Sequence, residues 1–193
     1  IANEEEARHA AEIIADQTHQ TSTIVSELMD FAKPAPPQPS TWPIGPLLGE
    51  LRRYWMVHAS LSDPQFQLVL SDDLPAVHAD AEQTRKLFDE LIRNAVEAMA
   101  DTSNRRLMVN CSYNVADDRV VVRIEDNGAG MTADVLERAT DPFFSFRPAG
   151  RGRGLGLSRA VRFAEINGGQ LRLASRPGYG TVAVVSLPAA SGG

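Results

Sequence analysis

Glu125-Asp126-Asn127-Gly128-Ala129-Gly130-Met131 follows a run that alternates like a strand, Arg119-Val120-Val121-Val122-Arg123-Ile124. An acidic residue with glycines two and four positions later ends that strand in a backbone able to fold back tightly. Glycine tolerates positive φ and carries no Cβ, so the chain can pass close to a bound group here. Asp126 would then stand at the mouth of a pocket as an acceptor-only carboxylate, suited to an amino donor such as the exocyclic amine of adenine. The plainer alternative is a strand-ending turn, since Asp-Asn-Gly is ordinary turn chemistry.

Composition narrows the setting. The chain has 193 residues, 43% hydrophobic and 23% charged, as in a globular domain with an accessory element. A formal net charge of −6 argues against non-specific binding to nucleic acid or to an anionic membrane. Nearly all the basic residues are arginine; the lysines are Lys33 and Lys86. The single cysteine, Cys111, falls inside a predicted strand, which excludes an internal disulfide and points to a reducing, cytoplasmic setting. No apolar run approaches the ~18 residues that span a bilayer, and no signal-peptide pattern is visible. The chain begins at Ile1 in mid-pattern, so it is expected to be a piece of a longer protein that could itself be membrane-anchored.

Upstream of the opening stretch, residues 3–32 read as one helix without Pro or Gly. Ala7, Ile14, Thr21 and Leu28 form one heptad seam, and Ala10, Gln17, Ile24 and Phe31 the second, the pattern of helices that pair side by side. His9 and His19 lie on this helix without acidic partners and read as solvated. Five prolines between Lys33 and Pro43 then favour an extended, semi-rigid linker over residues 34–43. Helical spacing returns from Ile44 to about Ala59, followed by a strand at Phe66–Leu70 and an extended piece at Leu74–Asp80.

Asp80 is a good N-cap for a helix running to about Ala100, with Leu87, Phe88, Leu91, Ile92, Ala95 and Met99 as its apolar face. Glu90 and Asn94 lie four residues apart on one side of it. Asn94 is a candidate oxygen ligand for Mg²⁺, which shares its octahedral sites with phosphates, and Glu90 could polarise a water or attacking group nearby. Taken singly, each reads equally as a solvent-facing polar side chain. A hairpin of Arg106–Val115 and Arg119–Glu125 delivers the opening loop, and Thr132 caps a short helix to Arg138.

Asp141-Pro142-Phe143-Phe144-Ser145-Phe146-Arg147-Pro148-Ala149-Gly150 has no period and reads as a mobile cover with hydrophobic anchors. It ends in Arg151-Gly152-Arg153-Gly154-Leu155-Gly156-Leu157-Ser158, entering a helix to about Asn167. Glycines and arginines at a helix N-terminus make an anion site. The spacing fits neither the dinucleotide fingerprint nor a Walker A loop. Strands at Gln170–Ser175 and Thr181–Leu187 flank a glycine-rich turn, the last of them placed centrally, and residues 189–193 read as a frayed tail.

In order, the chain carries Glu90-x-x-x-Asn94, Asp126-x-Gly128-x-Gly130, Phe143-Phe144, Gly152-x-Gly154-Leu155-Gly156-Leu157 and Gly178-x-Gly180-Thr181. Over residues 44–188 this resembles the ATP-binding domain of sensor histidine kinases, within the superfamily of gyrase, Hsp90, MutL and histidine-kinase ATPases. The resemblance implies an α+β sandwich, a mixed sheet covered on one face by helices. It implies that Asp126 binds the adenine amine with Thr181 assisting, and that Gly128 and Gly130 pass the base. It further implies that Asn94 ligates Mg²⁺, while Gly152, Gly154 and Gly156 line the triphosphate and Leu155 and Leu157 anchor the end of the lid. Arg147, Arg151 and Arg153 are candidates for the phosphate charge by position and chemistry. Residues 1–33 are similar to the end of the dimerisation and phosphotransfer helix of that family, which implies a homodimer through residues 3–32 and a response regulator as partner.

Two features depart from the pattern. The phosphoacceptor box is missing, because His9 is followed by Ala10 and His19 by Gln20. Position 90 is Glu where many histidine kinases have Asn, and hydrolysing relatives use a Glu there as general base. The leading expectation is therefore the catalytic region of a sensor histidine kinase acting on a histidine elsewhere. An ATP-hydrolysing switch of the same superfamily and a dimerising module with a degenerate site are the alternatives.

Overall fold

In the computed structural model the described residues are 35–62, 65–145 and 154–190, together with 8–11, 13–15, 17, 18, 21, 22, 25 and 29. Two compact units divide the chain, residues 1–36 and 37–193. In the first, every described position from 8 to 29 is helical. Ile13, Ile14, Val25 and Met29 are exposed there. Ala7, Ile24, Leu28 and Phe31 of the heptad seams lie outside the described residues, as does His19. Among the described residues no helix is long and apolar enough to cross a membrane.

The second unit runs β1 (Ser40–Trp42), α1 (Ile44–His58), β2 (Phe66–Leu70), β3 (Val77–Ala79), α2 (Ala81–Ala98), β4 (Leu107–Asn114), β5 (Arg119–Asp126), α3 (Ala133–Arg138), α4 (Gly156–Ile166), β6 (Gln170–Arg176) and β7 (Gly180–Pro188). Five strands make one mixed sheet in the order β2-β4-β5-β7-β6. β2 is parallel to β4, and the other neighbours are antiparallel. This is the predicted α+β architecture, with β7 inside the sheet.

Period-two alternation puts Leu107, Val109 and Cys111 of β4, Val120, Val122 and Ile124 of β5, and Ala183, Val185 and Leu187 of β7 on one buried face. Leu47, Leu48 and Leu51 of α1, Leu87, Phe88, Leu91 and Ile92 of α2, and Ala160, Phe163 and Ala164 of α4 join them in a single core. The alternation of β5 carries on to Asp126, so a carboxylate occupies an inward position at the end of the central strand. That residue is 5% exposed.

Asp80 caps α2 as expected, its Oδ1 accepting from Gln83 N at 2.9 Å. Its Oδ2 accepts from Gln38 N at 2.8 Å, and its own N–H donates to Asn167 Oδ1 at 2.7 Å. Asn167 Nδ2 donates to Gln83 Oε1 and Phe163 O. The C-terminal end of α4 is thereby tied to the N-terminal end of α2, so the two helices run in opposite directions.

Two sequence expectations are corrected. Ser40–Trp42, assigned to the linker, is a strand antiparallel to β3, secured by Trp42 Nε1 donating to Ala79 O at 2.9 Å. The start of the tail is held as well: Ala189 is buried and bridges Val77, and Ala190 N donates to Ala76 O at 2.7 Å.

Candidate nucleotide site

The loop after β5 is wedged between two neighbours. On one side, Ala129 N donates to the Ala98 carbonyl at 3.0 Å, at the C-terminal end of α2. A Cβ on Gly128 would stand 2.4 Å from that same carbonyl oxygen, so only glycine seats the loop there. On the other side, Gly178 N donates to Ala129 O at 2.7 Å, and a Cβ on Gly130 would meet Arg176 O at 2.0 Å. Gly180 has φ +95, and its Cβ would lie 1.9 Å from Asp126 O.

This clamp fixes the Asp126 carboxylate. Its Oδ1 accepts from Gly128 N at 2.8 Å and from Thr181 N at 3.3 Å. Among the described residues both bonds go to Oδ1, which leaves Oδ2 for a donor from outside. Burial pushes the carboxyl above the usual range, the two amide bonds pull the other way, and the charge of Glu125 adds to the rise. Thr181 contributes its N–H, while its hydroxyl pairs with Ser175 Oγ at 2.9 Å. Ser175 also accepts from Met131 N and contacts Gly180 O, so it ties the loop to the β6–β7 turn. Sequence reasoning missed Ser175, an unremarkable polar position in an alternating strand.

One turn back along α2 from Ala98 lies the second half of the site. Asn94 is half-buried, and Gly156, the first residue of α4, packs against it. A Cβ on Gly156 would come within 2.7 Å of Glu90 Oε2, 3.4 Å of Arg93 Nη2 and 3.5 Å of Asn94 Nδ2. Glu90 is buried, and each of its carboxylate oxygens is engaged: Oε1 by Arg159 of α4, Oε2 by Arg93. The expected base would need an oxygen open to the attacking group. Leu155 is buried at the N-cap position of α4, and Leu157 is half-buried against the core.

Of the aromatic pair, Phe144 is half-buried with the Arg138 guanidinium 4.3 Å over its ring. Phe143 is 63% exposed with φ +66, so it does not serve as the expected hydrophobic anchor. Its backbone serves instead, Phe143 N donating to Gly154 O at 2.8 Å. Arg147, Arg151, Gly152 and Arg153 lie outside the described residues.

Residues 79–191 match the family of histidine kinase-, DNA gyrase B- and HSP90-like ATPases. The chain belongs to that family. Among curated relatives, it is 29% identical over 176 residues to Sporulation kinase E of Bacillus subtilis, covering 91% of the chain and 23% of that protein. It is 29% identical over 188 residues to Sensor protein FixL of Bradyrhizobium diazoefficiens, covering 97% of the chain and 37% of that protein. The chain thus spans roughly a quarter to two fifths of these relatives. Among solved structures, full-length ShkA in complex with AMPPNP superposes with a TM-score of 0.83 at 21% identity, over 96% of this chain and 39% of that one. The catalytic domain of histidine kinase ThkA gives 0.68 at 20% identity, over 79% and 96%.

The residues present fit the nucleotide of this ATPase family. Among the described residues Oδ2 of Asp126 is left as an acceptor for an amine, and glycines let both the loop and the start of α4 pack closely on α2. Gly156, Leu157 and Ser158 form the first turn of α4 beside two guanidinium groups, a suitable setting for phosphate oxygens. For a metal the donor set is sparse. Among the described residues no group of three or more His, Cys, Asp or Glu could hold one. A single amide oxygen at Asn94 suits Mg²⁺ that arrives with phosphates and keeps most of its ligands from them and from water.

Proposed function

We propose that this chain is the ATP-binding catalytic region of a two-component sensor histidine kinase, using Mg-ATP to phosphorylate a histidine for relay to a response regulator. The observation that supports the reading is the pair of glycine contacts along the C-terminal half of α2, between Glu90 and Ala98. Gly128 packs on Ala98 next to a carboxylate that would accept an amine, and Gly156, at the N-terminus of α4, packs on Glu90 and lies beside Asn94. Asp126 and Thr181 would hold the adenine, with Gly128 and Gly130 beside it. Asn94 would ligate Mg²⁺, and Gly154 and Gly156 would line the triphosphate. Gly152 and the arginines 147, 151 and 153 would complete the phosphate side. Bound Mg-ATP supplies the transferable phosphoryl group. Catalysis of such transfers is mostly positioning and charge neutralisation, which these groups can provide.

None of His9, His19, His58 and His78 sits in a phosphoacceptor box, so the acceptor would be a histidine outside these 193 residues, brought to the nucleotide through pairing of residues 3–32 in a homodimer. This region would act on the cytoplasmic side of its full protein. Isothermal titration with ATP, with and without Mg²⁺, tests the reading together with a phosphate-release assay. Binding that strengthens with Mg²⁺, with little steady hydrolysis, is the expected result. Absence of binding would refute it, and sustained hydrolysis would favour an ATP-driven switch instead.

A further inference from the structure

Glu90, Arg93 and Arg159 form a charged chain between the two helices that flank the site. The side chains of Glu90 and Arg159 are 5% and 9% exposed, and that of Arg93 is 35% exposed. A carboxylate and a guanidinium taken this far from water must be mutually compensated, and removing one partner strands the other. The pair also has a definite place in the fold. Antiparallel to α2, α4 is pinned at its far end by Asn167 against Asp80 and Gln83. Near its start the charged pin is Arg159 on Glu90, one turn of α4 from Gly156. Together the three charges sum to one positive charge beside the turn assigned to phosphates.

We propose that Arg159 is a positioning residue of the nucleotide site, acting through Glu90, which serves as its buried counter-ion rather than as a base. Arg159 holds the first turn of α4 at the Asn94 stretch of α2 and prevents the Glu90 charge from opposing a triphosphate. The inference rests on reading the site as one for Mg-ATP, and it assigns Glu90 and Arg159 a shared role at the phosphate end.

The test compares binding of Mg-ATP and of adenosine by the wild-type chain and three variants, each checked for cooperative melting. Arg159→Met should weaken Mg-ATP binding about tenfold or more and leave adenosine binding unchanged, since the proposed adenine contacts, Asp126 and Thr181, share no hydrogen bond with Arg159 or Glu90 among the described residues. Arg159→Lys, which keeps a cation within reach of Glu90, should stay within about threefold of wild type. The double variant Glu90→Met with Arg159→Met removes both charges, keeps the net charge of the cluster and should also return to within about threefold. Because the last two avoid a stranded charge, they carry the test if the single variant does not fold: either one binding Mg-ATP more than about threefold weaker than wild type then overturns the proposal. The proposal is overturned by an Arg159→Met loss below about threefold, by an equal loss of adenosine binding, or by a double variant weaker than the single one. A wild-type chain that binds no Mg-ATP sinks the proposed function itself, a result separate from any of these.

Discussion

Replacing Asp126 by Asn should separate recognition from stability at a single atom. Oδ1 accepts from the Gly128 and Thr181 amides, and an asparagine can set its own Oδ1 in the same place. At the other position an NH₂ then replaces Oδ2 and would face the proposed adenine amine donor to donor. Loss of a hydrogen bond to a charged group is worth ~1.5–3 kcal/mol, or roughly 10- to 150-fold in the dissociation constant. Stability should move the opposite way. Burial raises the carboxyl's pKa in the folded chain, so between its unfolded and folded values the folded state binds more protons. Stability from this group is then fully present below the unfolded value and is lost as pH rises through the folded one. The Asn variant lacks that loss, so its melting temperature should match or exceed that of wild type at neutral pH. Its relative advantage should shrink on acidification. Isothermal titration of Mg-ATP and scanning calorimetry of nucleotide-free protein across pH 4 to 8 read the two effects. Affinity within threefold of wild type would refute the recognition argument. A melting difference independent of pH would refute the account of burial.

Other substitutions test the frame of the site. Gly180→Ala combines φ +95 with a Cβ placed 1.9 Å from Asp126 O, so it should lower stability by more than ~1 kcal/mol in denaturant titration and weaken ATP binding with it. Asn94→Ala should abolish the strengthening of ATP binding by Mg²⁺ while leaving metal-free binding within about twofold by titration calorimetry. Asn167→Ala strips partners from Asp80 N–H and Gln83 at the far end of α4 and should cost ~1–3 kcal/mol in urea unfolding, with little effect on adenosine binding. Phe88→Ala empties a fully buried core position and should cost ~3–5 kcal/mol by the same measurement.

What could be read from the sequence was local. Alternation over Arg119–Ile124 carries strand and face together, and the observed burial alternates on to Asp126, one residue past the expected strand end at Glu125. Asp80 and Thr132 acted as caps because capping needs only residues three positions away. Ser40–Trp42 escaped notice because its partner strand lies 37 residues on and the flanking Pro39 and Pro43 advertise a linker. Ala189 and Ala190 looked frayed because neither side chain shows that Ala76 and Val77 wait for their backbone. Ser175 carries three contacts that depend on a turn and a loop arriving from elsewhere.

Asp126 and Glu90 show why residue type alone could not assign their roles. Both are buried acids beside the same helix, and both sit in motifs that suggest ligand chemistry. Asp126 receives two backbone amides on one oxygen, which orients the group without neutralising it, so the second oxygen keeps its capacity to read a donor. Glu90 receives a guanidinium on each oxygen, one of them from Arg159, 69 residues further along the chain. Amides orient a carboxylate, whereas guanidinium groups also spend its charge. The proposed counter-ion role follows from that difference: a guanidinium already faces each Glu90 oxygen, whereas among the described residues Oδ2 of Asp126 has no partner. The distinction rests on α4 packing antiparallel to α2, which no spacing within the Glu90-x-x-x-Asn94 motif contains.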